Sequence, residues 1–145
     1  MALTLALALV GPACSGDDDE GLGLIDVGDE GPGTCLDVPL DQGPDIERLP
    51  VIACGEPHSH EIYAVALVDD DVYPGFEALE TFAQAQCLKE FEAYVGVSAF
   101  DSDLFYSWIV PTLTSWESDS DREVLCVAGN GNGAPLVGTI RNTAR

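Results

Sequence analysis

The sequence predicts an α+β domain: a small antiparallel sheet with one main helix packed on it, carrying two disulfides. Three observations carry this reading. Short runs rich in β-branched and aromatic residues recur along the chain, one stretch of helical period interrupts them, and four cysteines are spread through the whole.

Residues 34–38 read as a short opening strand and residues 39–50, with their Pro, Gly and Asp, as a loop. Val51, Ile52, Ala53 and Cys54 form a second strand candidate. Residues 61–68 (Glu-Ile-Tyr-Ala-Val-Ala-Leu-Val) are a strand that stops at Asp69-Asp70-Asp71, and Tyr73-Pro74-Gly75 then breaks the chain. From here the period changes. Phe76, Leu79, Ala83, Cys87, Phe91 and Tyr94 step by three or four and line one stripe. Glu77, Glu80, Lys89, Glu90 and Glu92 lie mostly off it, so a helix is expected over residues 76–95, with Gly96 as its stop. Residues 104–110 read as a strand or bent segment closed by Pro111, and residues 122–128 as a strong strand. Gly129-Asn130-Gly131-Asn132-Gly133 has the composition of a tight hairpin, from which residues 136–140 are expected to return as a final strand.

Ahead of the domain, residues 2–10 are apolar and end near Cys14. The run fits the core of a signal peptide and is well short of the roughly 20 residues that a membrane span requires. Gly11, Pro12 and Ala13 precede Cys14, and Ser15 and Gly16 follow it, an arrangement that resembles the bacterial lipobox, with Gly11 where Leu or Val is usual. Residues 1–13 are therefore read as a leader and Cys14 as the lipidated first residue of the mature protein, with ordinary secretion as the alternative. No positive charge opens the run, which leaves a start upstream of Met1 open. Residues 14–33 are dominated by Gly, Asp and Glu and are expected to be a linker spanning about 25 Å. Residues 34–145 are the size of one domain.

The chain of 145 residues carries 26 Asp and Glu against 5 Lys and Arg, a formal charge of −21. A nucleic-acid-binding face would be basic, so that class is excluded, and anionic lipid would repel the domain itself. Asp69-Asp70-Asp71 and Asp119-Ser120-Asp121 lack the spacing of a calcium-binding EF-hand loop and read as solvated loops.

Four cysteines in the domain allow three connectivities. Cys35 with Cys54 would clip the opening segments. Cys87 lies on the buried stripe of the helix and Cys126 on the sheet it should cover, so that pair would staple helix to sheet. Chain entropy assigns about 3 kcal/mol to the shorter loop and about 4 kcal/mol to the longer. No Cys-x-x-Cys pair is present to suggest a redox enzyme. A zinc site can be drawn from Cys54, His58, His60 and Glu61, but oxidation of Cys54 removes its thiolate, and packing beside the disulfide is the preferred reading of both histidines. There is no Gly-x-Ser-x-Gly, no helical His-Glu-x-x-His and no phosphate-binding glycine loop, so no catalytic or metal residues are assigned.

Several motifs then coincide in order: Gly33-Thr34-Cys35; Cys54 followed by Pro57-His58 and Glu61; Tyr73-Pro74-Gly75; Cys87 with Phe91 and Tyr94-Val95-Gly96; Trp108 and Pro111; Trp116 with Arg122 and Cys126; and Leu136-Val137-Gly138-Thr139. Over residues 33–142 they resemble the septum-formation domain of actinobacterial envelope proteins, which are commonly membrane-tethered or lipoprotein-like. Ser120 stands where that pattern has a glycine. The resemblance implies a role near cell division or envelope assembly and supplies no established active site. The expectation is an extracytoplasmic, lipid-anchored, non-catalytic accessory or binding protein that needs no cofactor. Its partner would be an envelope or division-site protein, with His58 and His60 as the candidate surface. A small secreted enzyme acting on envelope polymers, metal-dependent or not, is the alternative.

Overall fold

A computed structural model describes residues 23–26, 31–38 and 48–145. The leader, Cys14, most of the linker and residues 39–47 lie outside the described residues. The elements are β1 (Gly23–Asp26), β2 (Cys35–Leu36), β3 (Arg48–Ile52), β4 (His60–Leu67), α1 (Phe76–Val95), β5 (Leu104–Ile109), α2 (Leu113–Ser118) and β6 (Glu123–Asn130). The strands form one sheet in the order β1-β3-β2-β4-β6-β5, with every pairing antiparallel. The α+β expectation therefore holds: one main helix, one antiparallel sheet and two disulfides.

The helix has the expected bounds. Leu79, Ala83, Cys87, Phe91 and Tyr94 are buried as a stripe, and Val95 joins them, while Phe76 at the first turn stays half-exposed. Gly96 ends it in the left-handed conformation, φ 93°, its N–H donating to the Glu92 carbonyl. Against this stripe the sheet presents Val124, Cys126 and Ala128 from β6 and Leu104 from β5, with Tyr106 and Trp108 half-buried beside them. Leu125 and Val127 alternate to the other face, where they meet Leu36, Leu49 and Ile62. Cys87–Cys126 then bonds helix to sheet at the centre of the first core, and Cys35–Cys54 links β2 to the exit of β3.

A bulge in β4 sets which of its side chains face the helix. Ile62 pairs with Val127 and Ala64 with Cys126, so Tyr63 is the extra residue. Tyr63 and Ala64 consequently both join the helix-side core. The Tyr63 hydroxyl donates to the Cys87 carbonyl at 2.8 Å, and its ring meets Phe91 edge to face.

Four readings differ from the structure. Residues 136–140 do not return as a strand, because both edges of β6 are already occupied by β4 and β5. They instead form a strap that makes a single bridge, Leu136 to His58. The loop expected over residues 39–50 gives way to strand at Arg48. Pro50 is tolerated there because only its carbonyl is used, accepting from the Asp37 N–H; the return bond has no donor, and β2 ends at Leu36. The sequence reading also missed α2, whose capping box joins Thr112 and Ser115 and whose Trp116 is buried. In addition, β1 lies within the stretch read as linker and pairs with β3.

Two positions show how backbone geometry selects residues. Ser120 adopts φ 59°, which accounts for a glycine at that place in the related pattern. Gly129 is required for space: a Cβ there would stand 2.8 Å from the Ser59 carbonyl oxygen and 3.2 Å from both His60 and Phe105, whose rings meet edge to face. Gly129→Ala should therefore cost about 1–3 kcal/mol in urea unfolding, whereas Gly55→Ala, with open space around it, should stay within about 0.5 kcal/mol. Equal effects at the two positions would refute the steric account.

Candidate functional site

The polar centre of the domain is Glu61, on β4 and fully buried at 0% exposure. Burying a carboxylate costs several kcal/mol unless its oxygens are satisfied. Here three donors converge on it. The Tyr94 hydroxyl from α1 and the Thr139 hydroxyl from the strap each donate to Oε1 at 2.6 Å, and the Ile140 backbone N–H donates to Oε2 at 2.8 Å. Tyr94 in turn lies 4.2 Å beneath the Arg141 guanidinium. Burial, and then its bond to Glu61, push the Tyr94 hydroxyl up to about 12, so it remains a donor across the physiological range.

The strap is stitched on either side of this point. Leu136 and His58 exchange backbone bonds at 2.7 and 3.0 Å, and the Gly138 N–H donates to the Cys54 carbonyl at 2.6 Å. Beyond Ile140, the N–H groups of Asn142 and Ala144 donate to the carbonyls of Tyr94 and Val95 at the end of α1. These are carbonyls that the helix itself cannot satisfy. Glu61 thus holds sheet, helix and C-terminal strap at one carboxylate.

The Sγ atoms of Cys35 and Cys54 and a Glu61 oxygen lie within 4.8 Å of one another, an arrangement that could ligate a metal if the thiols were free. They are bonded to each other, so neither offers a thiolate. His58 is 1% exposed and its Nδ1–H donates to the Glu56 carbonyl at 2.8 Å; His60 is 7% exposed and its Nδ1 lies 2.9 Å from the Ser59 hydroxyl. Both imidazoles lie inside the fold. Burial, and then the neighbouring His58, lower the proton affinity of His60 below its ordinary value.

A second polar centre sits at the far end of the helix. Arg122 stacks 3.7 Å over Trp116 and donates to the carbonyls of Asp70, Trp116 and Asp121. It joins α2 to the segments on either side through main-chain oxygens; the neighbouring carboxylate, Asp121, accepts from Ser115 and from the Glu123 N–H instead. Cys14 lies outside the described residues, and no described helix is long and apolar enough to cross a membrane.

The arrangement defines a class before a family: a disulfide-stapled sheet-and-helix module whose buried carboxylate is held by donors from the helix and the strap. A family model described as septum formation matches residues 27–126, well over half of the chain, and the protein belongs to that family. The description ties the domain to septum formation, a step of cell division. No curated protein and no solved structure matches the chain. The family match ends at Cys126, so Thr139 and Ile140, which complete the Glu61 site, fall beyond it.

Replacing Glu61 by Gln leaves the shape but removes one acceptor facing three donors. The variant should lose about 2–4 kcal/mol in urea unfolding, and its strap should be cut by carboxypeptidase where that of the parent resists. A stable variant with a protected C-terminus would refute the role given to this carboxylate. For His60 the sign follows from its lowered affinity: the fold favours the neutral ring, so the unfolded chain takes up the proton first. That contribution is complete above 6.5 and is lost as pH falls below it. Stability should fall as pH drops below about 6.5, and His60→Gln should flatten that slope; an unchanged slope would contradict the assignment.

Proposed function

We propose that the protein is an exported, lipid-anchored and non-catalytic accessory factor that binds an envelope or division-site protein during septum formation. The observation that carries the non-catalytic part is the use of Glu61. Its oxygens accept from Tyr94, Thr139 and Ile140, all within the chain, whereas a catalytic carboxylate keeps an oxygen for substrate or water. The two disulfides support a site of action outside the cytoplasm, where such bonds persist. Anchoring rests on Cys14 after its apolar run, with the acidic linker holding the domain clear of the bilayer.

Fractionation of cells expressing the tagged full chain tests this. The parent should partition with membranes and Cys14→Ser should be released or left unprocessed, both keeping oxidised cysteines 35, 54, 87 and 126. A uniform cytoplasmic signal with free thiols would end the proposal.

A further inference from the structure

The two edges of β4 are not equally covered. β6 accompanies it from Glu61 to Leu67, whereas β2 reaches only His60 and Glu61. Backbone bonds from Gly33 and Thr34 extend that cover to Ile62 and no further. After the bulge the Val68 N–H donates toward β6, to the Arg122 carbonyl, so alternation places Ala66 and Ala64 on the same side. Val65 and Leu67 accordingly turn their N–H and C=O groups to the other side, where no strand lies among the described residues.

This edge, uncovered among the described residues, has a wall. Phe82, Gln86 and Glu90 form one row of α1 at four-residue spacing, and with β4 from Tyr63 to Leu67 they enclose a groove of about 450 Å³, closed near one end by Pro32. An uncovered strand edge beside a helix is the geometry in which an extended peptide adds a strand, with main-chain bonds giving affinity and the wall selecting side chains. Proteins usually blunt such edges with lysine, proline or a bulge that turns the edge away. Here the bulge lies before the bare stretch, and Leu67 is 68% exposed on it.

Charge selects the occupant. Glu90 stands at the Tyr63 end, and the strand runs out past Leu67 into exposed Asp69, Asp70 and Asp71. Lys89 pairs with Glu90 at 3.1 Å, but both side chains are exposed, and such pairs hold little energy in water. We propose that this groove captures an extended, cationic segment of a partner polypeptide by strand addition to β4. The proposal deepens the accessory role above and rests on it for the partner's identity. Peptide capture and cellular location are separate measurements, so either can fail without the other.

Amide hydrogen exchange on the oxidised full chain tests it, with a synthetic heptapeptide as probe: a lysine at each end of an alternating Val-Thr core. The amides of Val65 and Leu67 should exchange rapidly in the free protein and slow by about tenfold or more at saturating peptide. A peptide with proline at the central position should give no protection, and a glutamate-flanked one should bind roughly tenfold more weakly at low salt. Gln86→Lys, a helix-compatible change on the wall, should weaken the lysine peptide by roughly fivefold with the same unfolding midpoint. Binding that leaves the Val65 and Leu67 amides unprotected, or equal affinity for the glutamate peptide, would overturn the proposal. Protection that rises with protein concentration alone would assign the edge to a second copy of this chain and overturn it equally.

Discussion

Glu61 cannot be removed from water without compensation, and the way this chain compensates organises much of the domain. Its carboxylate lies in the sheet, one donor comes from the helix and two from the C-terminal strap. Each partner is therefore held to the other two through one buried group. Bonds to a carboxylate are among the stronger ones available, and breaking one inside the fold strands a donor or an acceptor there. The arrangement is consequently closer to a latch than to a general polar network: the strap either reaches Glu61 or leaves it unsatisfied.

The two disulfides and the β4 bulge act around this latch. Cys35–Cys54 closes the segment that carries Gly138's acceptor, and Cys87–Cys126 fixes the helix over the sheet so that Tyr94 arrives above Glu61. The bulge at Tyr63 keeps two consecutive side chains on the helix side, and it turns the backbone groups of Val65 and Leu67 to the edge that no described strand covers. One irregularity thus serves the core on one face and opens a groove at the side.

How legible this was depends on distance along the chain. The helix was visible because its signal is local: the stripe from Leu79 to Tyr94 and the stop at Gly96 lie within some twenty residues of one another. The cysteine pairs followed from placing Cys87 on that stripe and Cys126 on the strand below. The strap was misread because Gly129–Gly133 has hairpin chemistry, and only the occupied edges of β6 reveal that no place remains for a returning strand. Glu61 was seen only as a strand residue or a zinc ligand, since its donors lie 33, 78 and 79 positions away. One signal was present: it is the sole charge in the run from Glu61 to Val68, and it opens a strand otherwise fit for burial. His58 and His60 sit near a turn that the strap and Phe105 cover, contacts that only the folded chain displays.

The latch is most directly tested at the Ile140 amide, which no regular strand or helix protects. If its bond to Glu61 closes the domain, this amide should exchange only through global unfolding, as slowly as that of the buried Leu125 in β6, which is paired on both sides. Exchange much faster than that of Leu125 would mean that the strap opens independently, and the account would be wrong at its centre.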